Sequence, residues 1–179
     1  TAPFRVFNDW RLDGNYGVQF GLEDTWGTSP MRLARYQELV QVLPQERLWS
    51  LLSVGYVVTW AKGLPVPSEV IHQEAAGQEE TTYVHRLLEP GPRAWLVHQA
   101  EQVVAQEALR RLAAPDFDMH RVALVEQQLS MSLSPADGPN SVRILSRTPE
   151  SMTVAVESAA DALLVLSEVY YPGWHAAVD

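Results

Sequence analysis

Apolar and polar positions change period several times along the chain, and each change marks an element. Phe4-Arg-Val-Phe7 predicts a short strand, and Asn8 to Gly27 then mixes four glycines with aromatic and polar residues, which predicts an irregular but folded loop. A helical period follows. Ser29 is placed as an N-cap with Pro30 at the first helical position, and Met31, Ala34, Leu39 and Leu43 share a face until Pro44 breaks the run. Glu46 to Ser53 predicts a shorter helix, and Gly55-Tyr-Val-Val-Thr-Trp60 a strand rich in β-formers.

Beyond the loop Lys62 to Pro67, Glu69 to Gln73 predicts a short strand and Gly77 a turn. Thr81 to Leu88 and Arg93 to His98 predict two strands, and Glu89-Pro-Gly-Pro92 between them carries the signal of a tight hairpin. Ala105 to Ala113 has helical spacing, Arg121 to Glu126 returns to strand, and Gln127 to Asn140 is polar and aperiodic. From Val142 the pattern is purely β. Val142 to Leu145, the alternating Met152 to Val156, and the apolar run Leu163 to Val169, read as a buried strand, are separated by turns. Pro172-Gly173 predicts a turn, and Trp174 to Val178 the opening of a further strand. A chain stopping on such a strand leaves an edge unpaired, so the sequence reads as a piece of a longer protein. These elements predict an α+β fold. Residues 1–128 form a mixed α/β part, 129–141 a linker, and 142–179 the start of an antiparallel β module of sandwich or jelly-roll type.

With 179 residues, 46% of them hydrophobic, the chain is long enough to bury a core and too apolar for disorder. A formal charge of -9, with 13 Lys and Arg that form no dense stripe, excludes a broad nucleic-acid surface. The absence of cysteine removes disulfides, thiolate catalysis and cysteine-type zinc sites together. No stretch approaches the roughly 20 apolar residues that span a bilayer.

The five histidines, His72, His85, His98, His120 and His175, lack metal-ligand spacing, although His85 and His98 would meet across the expected hairpin. Their plain reading is as hydrogen-bonded or surface residues, and no metal or cofactor is expected. Serine-hydrolase and phosphate-loop motifs are absent from the sequence. The six tryptophans divide by context: Trp49, Trp60 and Trp95 lie in apolar segments and read as core, whereas Trp10, Trp26 and Trp174 lie at loops or turns. Trp10, Asp13, Asn15, Tyr16 and Trp26 therefore form the candidate carbohydrate site, because aromatic faces stack on sugars while acid and amide groups bind hydroxyls. Asp9 and Asp13 could also serve as a glycosidase acid pair, although Asp, Asn and Gly are equally the ordinary residues of turns.

Leu51-Leu-Ser-Val-Gly-Tyr-Val-Val-Thr59, Pro92-Arg-Ala-Trp-Leu-Val97 and Leu164 to Asp179 with its Tyr-Tyr-Pro-Gly-Trp centre follow one another in that order. Together with Asn15-Tyr-Gly17 and Arg35-Tyr36, they resemble the extracytoplasmic region of the bacterial YfhO family of polytopic membrane proteins. The resemblance implies a membrane-integral parent similar to glycosyltransferases that use a polyprenyl-phosphate sugar donor, with this region on the outer face. It implies as partners the transmembrane portion of the same polypeptide and a cell-envelope glycan. In the related transferases the catalytic carboxylate lies on a loop between membrane helices, so no catalytic residue is assigned here. The rival readings are a free-standing carbohydrate- or cell-wall-binding module and a soluble glycoside hydrolase.

Overall fold

The computed structural model describes residues 4–27, 33–76, 80–135 and 138–178. Its organising element is β2 (Val54–Thr59), almost wholly buried and paired on both sides. On one side β1 (Arg5–Asn8) runs parallel to it, and on the other the hairpin of β3 (Ser68–Ala76) and β4 (Glu80–Leu87) adds two antiparallel strands, in the order β1-β2-β4-β3. A strand bonded on both sides that buries Val54, Val57 and Val58 on its two faces reads in sequence as a continuous apolar run.

Two helices precede β2. Helix α1 (Ala34–Val42) and helix α2 (Gln45–Leu51) are separated at Leu43-Pro44, where proline ends the first and its carbonyl accepts the Leu48 N–H at 2.9 Å to open the second. The expected cap at Ser29 and Pro30, together with Met31, lies outside the described residues, as does the turn at Gly77. Leu43, Leu48, Trp49 and Leu52 pack with Val54, Val57 and Leu87 as the main core, and Phe7 meets Trp49 edge-on with ring centroids 5.5 Å apart.

The hairpin expected at Glu89–Pro92 does not form. β4 spends both its edges on β2 and β3, and β5 (Ala94–Val97) pairs antiparallel with a strand 66 residues further on, β10 (Leu163–Leu166), Leu163 lying opposite Val97. The physical reason is local. Gly91 is buried hard against the backbone of Ser50, so the segment crosses the end of α2 and leaves the first sheet instead of folding back along it. The stretch Arg93 to His98, expected as one strand, bends at His98, and a second strand follows, β6 (Gln99–Gln102), which no β-former announces. Helix α3 (Ala105–Ala113) then carries the chain over to β7 (Val122–Val125), parallel to β6, completing a β-α-β unit.

β8 (Ser141–Arg147) and β9 (Met152–Glu157) form an antiparallel hairpin around a turn in which the Thr148 hydroxyl accepts the Ser151 N–H at 3.0 Å. The overall class is α+β, as the pattern predicts. β10, however, pairs with β5 rather than extending the hairpin, so residues on the two sides of 129–141 share a sheet. Nor is β10 the buried strand expected, since Leu164 and Leu166 remain 39% and 37% exposed on a ribbon of only two strands. Pro172-Gly173 does turn, with the Trp174 N–H on the Tyr171 carbonyl at 3.2 Å, but residues 174–178 carry no strand because nothing among the described residues pairs with them.

A charged hub links these pieces. Arg93, its side chain 3% exposed, donates to Glu168 at 2.9 and 2.5 Å and to Glu23 at 2.9 Å. Arg5 donates to Glu168 at 2.9 Å, to the Ser167 hydroxyl at 2.8 Å and to the Leu52 carbonyl at 2.8 Å, and Arg147 bonds Glu23. Strand β1, the loop before α1, β5, β8 and the exit of β10 are thereby tied together.

Candidate functional site

Strands β1 and β2 run parallel, so their carboxyl ends open at the same edge of the sheet, a position where ligands commonly sit in sheets with parallel strands. The chain leaves β1 through a tight clamp. The Asn8 carboxamide oxygen accepts the N–H groups of Arg11 at 3.0 Å and Leu12 at 2.9 Å, while its amide nitrogen donates to the Leu12 carbonyl at 2.9 Å. That turn forces Trp10 into the left-handed region, with φ 55°, and leaves the residue 71% exposed. A tryptophan is a poor residue for that conformation, and strain of this kind persists only where the surroundings overdetermine the backbone.

The surroundings here do so. The Asp9 N–H donates to the Val58 carbonyl at 2.8 Å, and its carboxylate accepts the Thr59 hydroxyl at the same distance, locking the exits of β1 and β2 side by side. Trp60 follows directly and stays 42% exposed. The Arg11 guanidinium lies 3.1 Å above the Trp60 ring centroid and donates to the Thr82 hydroxyl at 2.8 and 2.5 Å. Fully buried His85 secures the same loop from below, with Nε2 at 2.9 Å from the Ala61 carbonyl. Two exposed tryptophans, one stacked under a guanidinium, and the exposed acid Asp13 thus stand at one end of the sheet.

Of the residues expected from sequence, Trp10 and Asp13 belong to this surface. Asn15, with φ 65°, opens the 3-10 segment Tyr16–Phe20, and its side-chain oxygen lies against Gly27, where an added Cβ would come within 3.0 Å. The backbone of Tyr16 begins that segment. Trp26 is half-buried, its N–H held by the Asp24 carboxylate at 2.8 Å; burial raises the Asp24 pKa, against the bonds from Trp26 and Asn8. Trp60, expected in the core, is the correction: it lies one residue beyond the strand whose pattern suggested burial. Sequence reasoning also passed over Arg11 and Thr82, which become neighbours of Trp60 only through sheet pairing.

His85 and His98 do not meet, because β4 and β5 belong to different sheets; His85 faces Ala61 and the Ser68 hydroxyl, and His98 the Asp161 carbonyl. Among the described residues no group of three or more His, Asp or Glu is placed to hold a metal. Ser50 and His120 do meet, Oγ to Nε2 at 2.9 Å, beside a hollow of about 420 Å³. A nucleophile needs a base held in place by a third group and donors facing the oxyanion. Here the buried His120 Nδ1 has no partner, and Ser50 sits near the carbonyl end of α2, whose partial negative charge opposes an oxyanion. Packing accounts for the pair better, with the Trp95 ring edge-on to the imidazole at 5.0 Å.

Burial pushes the His120 pKa down, with Asp118 opposing and Arg47 assisting. The folded state therefore favours neutral imidazole, and the stability it contributes is present above about pH 6.5 and lost as pH falls below that value. Melting temperatures measured between pH 5 and 8 should drop at the acid end in the natural chain and lose that component in His120→Gln. An unchanged slope in the variant would reject the assignment.

Compared with known proteins, the chain matches no family model, no curated protein and no solved structure. Among the described residues no helix is long and apolar enough to cross a membrane.

Proposed function

We propose that this chain is a non-catalytic recognition domain on the outer face of a bacterial membrane, belonging to a polytopic protein of YfhO type and engaging the cell-envelope glycan that accepts sugar from a polyprenyl-phosphate donor. The observation that carries the reading is Trp10, strained and exposed, beside the Arg11–Trp60 stack at the shared end of β1 and β2. Exposed indole faces complement the apolar faces of sugar rings, and Asp13 together with Arg11 supplies hydrogen-bonding groups at their rim. The Asn8 clamp and the Asp9–Thr59 bond hold the aromatics in place before a ligand arrives, which lowers the ordering cost of binding. The parent family and the membrane setting rest on the sequence resemblance.

Calorimetric titration of the full chain with cell-envelope polysaccharides tests the reading. Trp10→Ala and Trp60→Ala should each weaken binding roughly tenfold, about 1.4 kcal/mol, while Trp26→Ala should leave it nearly unchanged. Binding untouched by either platform variant would move the site elsewhere, and no binding to any glycan would leave the domain a scaffold.

A further inference from the structure

Two secured segments of the chain are joined by a link that makes no bonds of its own. The Asn8 clamp ends at Leu12, whose N–H and carbonyl both bond the Asn8 carboxamide, and the 3-10 segment opens with the Val18 N–H on the Asn15 carbonyl at 3.1 Å. Asp13 and Gly14 lie between them, both exposed. Among the described residues neither the Asp13 carboxylate nor the Gly14 N–H has a hydrogen-bond or ion-pair partner. An aspartate side chain reaches the backbone N–H groups that follow it, and glycine carries no Cβ to hold its amide nitrogen away from the carboxyl carbon.

Every other described aspartate precedes a residue with a side chain, and most have their groups engaged. Asp9 accepts the Thr59 hydroxyl at 2.8 Å, and Asp118 the His120 N–H at 2.9 Å. Asp24 accepts the Trp26 N–H at 2.8 Å, while the N–H of Thr25 is spent on the Val6 carbonyl at 3.0 Å. After Asp116, the Phe117 N–H donates to the Ala114 carbonyl at 3.2 Å. The sequence has one further Asp-Gly step, Asp137-Gly138, whose aspartate lies outside the described residues.

We propose that Asp13-Gly14 is a site of spontaneous backbone modification, isomerising to isoaspartate in the folded protein. The Gly14 amide nitrogen attacks the Asp13 side-chain carboxyl carbon; a C–N bond forms, a carboxyl C–O bond breaks, and one water leaves as a succinimide closes. One water then adds back. Addition at the side-chain carbonyl restores aspartate, whereas addition at the main-chain carbonyl leaves the chain running through the β-carbon. Nothing is oxidised or reduced, and the mass is unchanged. The product has an extra methylene in its main chain and a shifted carboxylate at the rim of the Trp10 surface, while the bonds of the Asn8 clamp and of the 3-10 segment are not touched. The modification itself does not depend on the glycan reading.

The full chain is incubated at 37 °C, folded or in urea, then digested with a protease that cuts before aspartate but not before isoaspartate, and labelled with an isoaspartyl methyltransferase. Folded samples should lose cleavage before Asp13 progressively and at a rate close to that in urea, accept methyl groups there, and yield an isobaric peptide of shifted retention. Cleavage before Asp9 and Asp24 should persist. Gly14→Val, which shields the amide nitrogen, should lose most of the conversion. Isomerisation of Asp13 only in urea, methyl acceptance confined to Asp137, or undiminished conversion in Gly14→Val would each overturn the proposal.

Discussion

Gly91→Ala is expected to destabilise the protein by about 3 kcal/mol, at the upper end of what overpacking a core usually does. An added Cβ would stand 2.6 Å from the Ser50 carbonyl carbon and 2.9 Å from its Cα, with the carbonyl oxygen nearer still. These are backbone atoms near the end of α2, so no side chain can swing away to make room. Relief requires moving either α2, which carries the core residues Leu48 and Trp49, or the segment that delivers β5 to β10. At 179 residues this loss lowers the melting temperature by about 10 °C. Gly63→Ala is the control: nothing lies within 4 Å of its added Cβ, and the effect should stay within about 0.5 kcal/mol. Urea unfolding of both variants decides the matter. Equal midpoints would show that the crossing at Gly91 is not tightly built.

Glu168→Ala should cost about as much or more, on the order of 3–5 kcal/mol, because it leaves buried guanidinium groups without their main counter-charge. Among the described residues, Arg5, Arg93 and Arg147 take their ion pairs from the two carboxylates of Glu23 and Glu168, and the buried Arg93 Nη1 has no partner. Burial and the neighbouring Arg93 lower the Arg5 pKa, against the pull of Glu168 and Glu23. Truncating Glu168 removes one of the two opposing charges. The double variant Arg93→Met with Glu168→Leu should recover part of the loss, since an apolar pair of similar bulk carries no desolvation penalty. If Glu168→Ala unfolds in urea at the natural midpoint, the hub contributes nothing to stability.

The same hub sets an acid limit. Burial alone would raise the Glu23 pKa, but the hydrogen bond from Arg147 and the charge and bond of Arg93 outweigh it and hold the carboxyl below its usual range. A carboxyl depressed in the folded state contributes stability that is complete above the ordinary glutamate value, near pH 4.3, and is lost as pH falls through the lowered value. Asp24, raised by burial, works in the opposite direction and blunts the slope.

Much of the local architecture is legible in the residues. Proline at 44, the apolar spacing of 105 to 113 and the alternation of 152 to 156 each place an element within a residue or two, because these signals act through the torsions and faces of neighbouring residues. Pairing was legible only in part. The segment Glu89–Pro92 has the composition of a turn whether its flanking strands meet or part, and the close approach of Gly91 to Ser50 that separates them involves residues 41 positions away. β6 was invisible because Gln99–Gln102 owes its extended form to β7 and to the crossover of α3, and not to its own propensity.

The candidate site divides the same way. Trp10 and Asp13 could be named from a loop that mixes aromatic, acidic and turn-forming residues. Trp60 could not, since its apolar neighbours suggest burial, and only the end of β2 puts it outside beneath Arg11. What the sequence by itself determined is the α+β class, most element positions, the buried Trp49 and Trp95, and the acidic charge, all properties of composition and short-range period. The tertiary structure alone decided which strands pair, that three distant arginines share two glutamates, and where apolar surface stays uncovered. Those are contacts between segments tens of residues apart, and no local pattern encodes which distant partner will satisfy a strand edge, a buried charge or a helix face.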